Sequence, residues 1–211
     1  MALAHPPKQA RARATKEAVV AAAVDVLAEL GLAGTSTAAI ARRAGVSQGA
    51  LFRHFPTKTD LLAATTAHIL DALTTDFVAA LPAAMGTGDL LKAGLEVLWS
   101  VYVDPRLAGV FELFLAARTD PELAALLRPI VAQQAAAELA LARLLFAKAS
   151  HSPDFDATVA GLMSTIQGVA VAAAVLPRPT ADTAPATLIE LRFIDTLVRR
   201  ELGTPQWPEA P

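Results

Sequence analysis

The stretch TSTAAIARRAGVSQGALFRHFPTK, residues 35–58, decides the fold because its helix boundaries can be assigned from individual residues. Ser36 is placed to cap a first short helix through its hydroxyl, and Gly45 supplies the left-handed backbone that ends a helix without steric cost. Ser47 is placed to cap a second helix, which Pro56 stops. The predicted helices cover about 37–44 and 48–55. Two short helices joined by such a tight turn are the arrangement that places one helix in a DNA groove.

The side chains of this stretch divide between an inward and an outward face. Those spaced to be buried between the two helices are Ile40, Ala41, Ala44, Val46, Leu51 and Phe55. On the outward face, Arg53 suits a bidentate contact with guanine and Gln48 a contact with adenine. Arg53 has two alternative roles, a solvated arginine and a phosphate clamp, and Gly49 either admits close backbone approach to DNA or is a weak helix former. Arg42 and Arg43 suit either phosphate contact or the C-terminus of the first helix.

A longer sequence around this motif, GTSTAAIARRAGVSQGALFRHFPTKTDLL, closely resembles the helix-turn-helix of the TetR family of transcriptional regulators. Residues 15–30 are similar to that family's first helix, and the resemblance covers about residues 12–66. Within it the pattern AGVSxGALxxHFPxK is highly specific. The resemblance implies an all-α fold, with an N-terminal three-helix DNA-binding domain and a C-terminal helical domain that binds an effector and dimerises.

The resemblance also implies roles for individual side chains. Thr37 and His54 stand where the family contacts phosphate, and Lys58 stands at the N-terminus of the fourth helix, where it can hold a phosphate. Phe52 replaces the tyrosine that is common in the family, so its alternative role is packing alone. The predicted DNA-binding residues are Thr37, Ser47, Gln48, Gly49, Ala50, Phe52, Arg53, His54 and Lys58.

Composition and charge agree with a helical protein whose basic end carries the motif. The 211 residues suit one or two domains, and 54% of them are hydrophobic. Residues 1–60 contain eight basic and four acidic side chains, whereas the remainder contains ten basic and sixteen acidic ones. The positive charge therefore falls where phosphate contact requires it. The absence of cysteine excludes disulfides, thiolate metal sites and cysteine nucleophiles.

Start and stop signals along the whole chain predict helices and no strands. The predicted helices cover about 15–30, 37–44, 48–55, 58–81, 89–102, 105–118, 121–148, 153–176 and 185–202. The helix from 121 is expected to kink at Pro129, and Pro82 is expected to end the fourth helix. The predicted domains are a mobile basic arm (1–14), a DNA-binding domain (15–60), an effector-binding and dimerisation domain (61–204) and a tail (205–211).

One segment, residues 157–177, carries no formal charge and is long enough to span a bilayer. Polar residues interrupt it, and no juxtamembrane basic cluster follows, so a buried helix is the favoured interpretation and a membrane span the alternative. The N-terminus has basic residues but lacks the apolar core of a secretory signal. We expect a cytoplasmic protein without a membrane partner.

The resemblance places an effector site within helices 4 to 8. The candidates are His68, Phe77, Trp99, Tyr102, Phe111, Glu112, Phe114, Arg118, Met163 and Gln167. The apolar members have core packing as their alternative role, because an aromatic stripe at helical spacing is common in a core. Glu112 and Arg118 either pair with each other or with a neighbouring helix, or one of them orients a ligand. His68 is either a ligand contact or an ordinary helix histidine.

The last two predicted helices are candidates for a homodimer interface. Their candidate interface residues are Gly161, Ser164, Gly168, Val171, Ala172, Leu188, Leu191, Ile194, Leu197 and Val198. Two such helices meeting their symmetry mates would form a four-helix interface. The alternative is that these residues form the core of one monomer.

Together these patterns predict a ligand-responsive transcriptional repressor that binds a pseudo-palindromic operator as a dimer and is released by a small, mostly apolar effector. The alternative is an effector-independent DNA-binding protein whose C-terminal domain only dimerises. We expect no enzyme, cofactor or metal, because the four histidines are scattered and no nucleophile with a plausible base is present.

Overall fold

The chain folds into helices in a computed structural model that describes residues 8–86, 88–173 and 194–201. The helices are α1 (Lys8–Gly34), α2 (Thr37–Arg43), α3 (Gln48–His54), α4 (Lys58–Met85), α5 (Leu90–Tyr102), α6 (Pro105–Ala117), α7 (Pro121–Leu145), a short 3₁₀ helix (Ala149–His151), α8 (Phe155–Ala173) and α9 (194–201). The described residues contain no strand, and the predicted all-α fold is confirmed.

The predicted helix caps around the motif are confirmed. The Ser36 hydroxyl accepts a hydrogen bond from the backbone N–H of Ala39 at 3.1 Å, and the Ser47 hydroxyl accepts one from Ala50 at 3.2 Å. At the start of α4, the Asp60 backbone N–H donates to the Thr57 hydroxyl at 3.0 Å. The Asp60 carboxylate accepts from the Thr57 N–H in return, also at 3.0 Å. These capping hydrogen bonds fix the beginnings of the three helices.

The start of the first helix differs from the sequence prediction. The first helix begins at Lys8, so residues 8–14, which were expected to belong to a mobile arm, are helical. No glycine or proline interrupts this segment before Gly31, and Arg13 pairs with Glu17 at 2.8 Å one turn later. Residues 1–7 of the predicted arm lie outside the described residues.

The prediction that α4 ends at Leu81 was wrong, because α4 continues through Pro82 to Met85. Proline removes one backbone donor and crowds the carbonyl four residues before it, and here it does so in the last turn of the helix. Pro82 and Val78, whose carbonyl loses that donor, are both exposed. Water can therefore hydrogen-bond to the carbonyl, and the helix tolerates the proline.

The helices group into two compact units that interleave along the sequence. The first comprises Met1–Asp71 and Pro105–Ile130, and the second comprises Ala72–Asp104 and Val131–Pro211. Both α4 and α7 therefore contribute to both units, and α6 joins the helix-turn-helix in the first. The sequence analysis instead predicted a single division after residue 60.

The core of the first unit lies between α1 and the helix-turn-helix. Its buried members are Val19, Val20, Ala22, Ala23, Val26, Ile40, Ala41, Leu51, Phe55 and Leu61. All six residues predicted to face inward in the motif lie in this core or pack against it. Burial of these apolar side chains orients α3 and leaves its opposite face to solvent.

Helix α6 also packs against α1 in this unit, and two glycines permit the contact. At Gly109 an added β-carbon would lie 2.5 Å from Cγ of the buried Leu27. Gly31 interrupts α1 with φ of 65°, and the Leu32 N–H that follows the interruption donates to the Glu112 carboxylate at 2.6 Å. Glu112 thus supplies a hydrogen-bond acceptor to a backbone donor where the helix is broken.

The core of the second unit joins α5, α8 and α9. It is built around Leu91, Leu95, Ile166, Ile194 and Val198, with further side chains packed against them. Ile194 and Val198, which were predicted at a dimer interface, are thus buried within one copy of the chain, as in the alternative of a monomer core. Arg199 links α9 to α5 by donating to both carboxylate oxygens of Asp89 at 2.7 Å.

Only one side of α8 is buried, although the sequence favoured a buried helix. Phe155, Val159, Ile166 and Ala170 face the core. The predicted interface residues of this helix are exposed instead: Gly161, Ser164, Gly168, Val171 and Ala172. On α9, Leu197 is also exposed, whereas Leu188 and Leu191 lie outside the described residues. By length and composition α8 meets the criteria for a membrane span, but a single helix of this kind is weak support for one.

Candidate functional sites

The second helix of the motif, α3, presents one buried and one exposed face. Leu51 is fully buried and Phe55 closes the helix against the same core. Ser47, Gln48, Gly49 and Arg53 are exposed, and Ala50 and His54 are half-buried. The N-terminal half of α3 is therefore accessible, and this is the part of a recognition helix that reads base edges.

Small and aromatic residues on α3 extend this accessible face. A β-carbon added at Gly49 would meet no atom within 4 Å, so the backbone there is open to close approach. Phe52 is 41% exposed, and so its ring is not confined to the core. Thr37, the first residue of α2, is half-buried. The predicted DNA-binding residues all keep some accessible surface, and their contacts with DNA remain predictions.

The arginines and lysine of the motif differ in their partners. Arg43 donates to the Glu29 carboxylate at 2.9 Å, and the same hydrogen bonding lowers the pKa of Glu29. By contrast, Arg53, Lys58 and Arg42 form no ion pair with any residue that the structure describes, and all three are exposed. Arg43 therefore joins α2 to α1, whereas the other three cations remain available to an external anion.

The candidate effector residues of the second unit are half-buried. Trp99 and Tyr102 pack against the core formed by α5, α8 and α9. The Tyr102 hydroxyl lies 3.7 Å from the sulfur of Met163 on α8. Phe77 and Gln167 are also half-buried. The structure thus places Tyr102 beside Met163, with Trp99 packed against the same core as Tyr102.

The candidates in the first unit have different surroundings. Phe111 is buried, and its ring lies 6.4 Å from that of Phe114, as expected for a core pair. The carboxylate of Glu112 accepts a hydrogen bond from the Leu32 backbone N–H, so its partner is that N–H and not Arg118. Arg118 and His68 are exposed. Glu112 therefore contacts a neighbouring helix, which was one of its predicted alternatives, through a backbone donor that the sequence did not identify.

A polar network in the second unit was missed by the sequence analysis. Gln134 on α7 donates through its amide nitrogen to the Thr74 hydroxyl on α4 at 3.0 Å and to the Glu138 carboxylate at 2.9 Å. Burial raises the pKa of Glu138, and the hydrogen bond from Gln134 opposes that shift. Burial, together with the charge of Glu138, raises the pKa of Tyr102.

Only part of this network could have been predicted from the sequence. Gln134 and Glu138 are four residues apart and thus share one face of α7. Thr74 is 60 residues away from Gln134, and no local pattern links the two. Among the described residues, no group of three or more histidine, aspartate or glutamate side chains is arranged to hold a metal ion.

The capped helices, the buried side of α3 and its exposed basic side define the helix-turn-helix of a DNA-binding protein. The family model of bacterial regulatory proteins of the tetR family matches residues 19–65. An HTH-type transcriptional regulator of Mycobacterium tuberculosis is 34% identical over 173 residues, which cover 82% of this chain and 89% of the relative. The chain belongs to the TetR family of transcriptional regulators.

Further relatives extend the similarity in sequence and in fold. CymR, an HTH-type transcriptional regulator of Pseudomonas putida, is 35% identical over 113 residues, 54% of this chain and 56% of CymR. A TetR-family regulator from Rhodococcus sp. has a TM-score of 0.63 at 21% identity, over 88% of this chain and 99% of that one. The multidrug binding protein EbrR, solved with proflavin, has a TM-score of 0.61 at 24% identity, over 87% of this chain and 99% of EbrR.

Proposed function

We propose that this TetR-family regulator is a ligand-responsive repressor that binds a pseudo-palindromic operator as a homodimer. The observation that carries the DNA-binding part is the exposed face of α3. It combines the accessible residues Ser47 and Gln48 with Arg53, which has no ion-pair partner in the described chain. Phosphate contacts from Lys58 would position the helix, and Arg53 would discriminate between bases.

A dimer would place two copies of α3 in successive major grooves. Such half-sites lie roughly 34–36 Å apart when they are on one face of the duplex. The proposed interface is the exposed face of α8, where small residues allow close helix approach. A β-carbon added at Gly161 or Gly168 would meet nothing within 4 Å in the monomer. A second copy of this chain would cover that apolar face.

The proposed effector is a small, mostly apolar molecule bound in the second unit. Half-buried aromatic side chains at Trp99 and Tyr102 are typical of such sites. The fold neighbour EbrR, a multidrug binding protein solved with proflavin, supports a ligand-binding role for this architecture. Since α4 contributes residues to both units, its displacement would change the position of α3. Typical allosteric coupling of about 1–3 kcal/mol changes affinity roughly 5- to 150-fold.

The DNA-binding proposal is tested by footprinting the purified protein on the DNA that flanks its own coding region. We expect a protected pseudo-palindrome. Arg53→Ala should relax the preference for particular bases by about 1–3 kcal/mol, whereas Lys58→Ala should weaken binding to all sequences similarly. Arg43→Ala is the matched control, because Arg43 is bonded to Glu29 and is not expected to alter base preference.

Two outcomes would contradict this assignment of contacts. One is an unchanged base preference in Arg53→Ala. The other is a change in base preference in Arg43→Ala that equals the change in Arg53→Ala. Weak, salt-sensitive binding without any preferred site would place the target elsewhere or show that the motif has lost its specificity.

The dimer is tested by sedimentation of Val171→Glu, which places a charge on the exposed face of α8. Leu144→Glu is the control, since Leu144 on α7 is 78% exposed in the monomer and lies outside the proposed interface. We expect Val171→Glu alone to dissociate the dimer and weaken operator binding. A wild-type monomer, or a dimer that both variants preserve, would refute the α8 interface.

The effector response is tested by adding compound collections and cell extracts to the operator complex. Release of DNA from a protein that stays folded is the expected result. If no small molecule changes operator affinity, the ligand-responsive part of the proposal fails and an effector-independent DNA-binding protein remains.

A further inference from the structure

The polar network of α4 and α7 contains a carboxylate, that of Glu138, for which the described residues supply no positively charged partner. Its atoms are held in place by hydrogen bonds: Gln134 joins the Thr74 hydroxyl at 3.0 Å to the Glu138 carboxylate at 2.9 Å. Thr74, Gln134 and Glu138 are all half-buried rather than enclosed. The carboxylate is therefore oriented and partly withdrawn from water, yet still accessible.

Two other half-buried carboxylates of the second unit share a basic partner. Asp89 and Asp195 share Arg199, with oxygen–nitrogen distances of 2.7 and 2.9 Å. Glu138, by contrast, forms no ion pair with a lysine, arginine or histidine among the residues that the structure describes. Its hydrogen bond from Gln134 comes from a neutral amide. A desolvated carboxylate with only a neutral donor is an incomplete charge pair.

The surroundings of Glu138 combine this charge with aromatic and sulfur-containing side chains. Tyr102 on α5 is close enough for the charge of Glu138 to raise its pKa, and the Tyr102 hydroxyl lies 3.7 Å from the sulfur of Met163. Trp99 lies one helical turn before Tyr102 and packs against the same core. Aromatic faces and polarisable sulfur suit a flat organic cation, and they offer no positive charge that would repel it.

We propose that Glu138, held by Gln134 and Thr74 and adjoined by Tyr102, is the charged end of the effector site, and that it selects an organic cation bearing N–H donors. The inference rests on the proposed ligand-responsive function and narrows its effector from mostly apolar to apolar with one positive group. An amidinium or protonated amine would donate to the Glu138 carboxylate, and its apolar remainder would contact the aromatic side chains. Such a charge-assisted hydrogen bond is stronger than one between neutral groups.

The test uses probes that have the same shape and differ in charge. They are 2-naphthamidine, 2-naphthamide and 2-naphthoate, with benzamidine, benzamide and benzoate as a smaller set. Calorimetric titration of the full-length protein should show that each amidine binds about tenfold or more tightly than its amide, with the carboxylate weakest. Amides that bind as tightly as the amidines would overturn the proposal, as would an absence of amidine binding in both sets.

The variant Glu138→Gln removes the charge and keeps an oxygen that can accept from Gln134. We expect it to abolish the preference for amidine over amide, because the amidine loses both the opposite charge and the charge-assisted hydrogen bond and is weakened more than the amide. Glu96→Gln is the matched control, because Glu96 on α5 is exposed and lies in the same unit. A thermal melt of each variant checks that it is folded. Retention of the amidine preference in Glu138→Gln would refute the role of this carboxylate.

The same variants separate this inference from the proposed function. If amidines bind through Glu138 but leave operator affinity unchanged, the cation site stands and the ligand-responsive function fails. If a neutral compound releases the operator equally from the wild type and Glu138→Gln, the ligand-responsive function stands and the cation site fails.

Discussion

Arg53 on α3 and Glu138 on α7 both lack an oppositely charged partner among the described residues, but their surroundings differ. Arg53 is exposed and remains hydrated, so its charge costs the fold little. Glu138 is half-buried, and burial raises its pKa. An exposed cation attracts phosphate from a distance, and dissolved salt weakens this attraction by screening the charges. A desolvated carboxylate acts only at contact, where it discriminates strongly between a cation and a neutral molecule.

The helix-turn-helix and the network around Glu138 also differ in how their side chains are held in place. The caps of the helix-turn-helix join residues three positions apart, and its exposed face depends on one small core. The network around Glu138 instead joins Gln134 to Thr74 across 60 residues. Changes to the first region should therefore act through the local fold, and changes to the second through charge and burial.

The largest expected effect is that of Leu51→Ala, which removes the fully buried side chain beneath the exposed face of α3. Truncating a buried leucine costs about 2–5 kcal/mol, so operator binding should be lost together with the fold of the motif. Urea denaturation followed by circular dichroism measures the loss. Leu144→Ala makes the same truncation at an exposed site and should change stability by less than about 0.5 kcal/mol. Equal losses in the two variants would contradict the assigned core.

The next largest effect on stability is expected at Gly45, and the same substitution at Gly49 should have the opposite effect. Gly45 has φ of 67°, and neither Gly45 nor Gly49 has an atom within 4 Å of an added β-carbon. Gly45→Ala should destabilise the protein by about 1–2 kcal/mol, because an alanine is strained in the left-handed region. Gly49→Ala lies in helical backbone and should stabilise by roughly 0.5–1 kcal/mol, yet weaken DNA binding by separating α3 from the groove. A gain of stability in both variants would rule out strain at Gly45.

A smaller effect is expected at the contact between α6 and α1. Glu112→Ala leaves the Leu32 N–H without its carboxylate acceptor, and we expect a loss of about 1 kcal/mol, as for other side chains that cap a helix. The measurement is the urea midpoint. Glu96→Ala removes an exposed glutamate from α5 and should leave the midpoint almost unchanged. A Glu112→Ala midpoint equal to that of Glu96→Ala would show that the bond contributes nothing to stability.

The smallest expected effect is a pH dependence that originates at Glu138. Its pKa is higher in the folded protein than the value of about 4.3 for an unfolded glutamate, so the folded state binds the proton more tightly. The resulting stabilisation is present below the unfolded pKa and is lost as the pH rises through the folded pKa.

Glu138→Gln cannot titrate, so it should become more stable relative to the wild type as the pH is raised from 4 to 8. Thermal melts of the two proteins at each pH measure this difference, and Glu96→Gln provides the baseline for an exposed glutamate. A difference between the wild type and Glu138→Gln that does not vary with pH would indicate that Glu138 is not desolvated.

The motif could be predicted from sequence because its determinants are local. Ser36 and Ser47 bond to N–H groups three residues later, and Gly45 needs only its own backbone angle. Both members of each capping hydrogen bond therefore lie within one helical turn of the sequence. The buried side chains of the motif can also be predicted from local sequence, because its apolar residues repeat at helical spacing.

The remaining features depend on contacts that sequence spacing does not encode. Glu112 reaches the Leu32 backbone across 80 residues, so the sequence suggested a neighbouring helix as its partner but did not identify the donor. Ile194 and Val198 show the helical spacing of an interface, but the same spacing also suits the monomer core in which they are buried. Pro82 illustrates another feature that the local sequence does not determine, namely whether a proline ends its helix. Whether a proline ends a helix depends on access of water to one carbonyl, which the local sequence does not reveal.

The close approach of α6 to α1 at Gly109 has an evolutionary consequence. Every amino-acid replacement available from a glycine codon by one nucleotide change adds at least a β-carbon, and here that atom would lie 2.5 Å from Leu27 Cγ. Close packing leaves little room for adjustment around a buried leucine. Neutral drift is therefore blocked at position 109, although no DNA contact is expected there. A deep mutational scan would rank Gly109 with Leu51 among the intolerant sites, and it would find the exposed positions of α3 replaceable whenever operator binding is not selected.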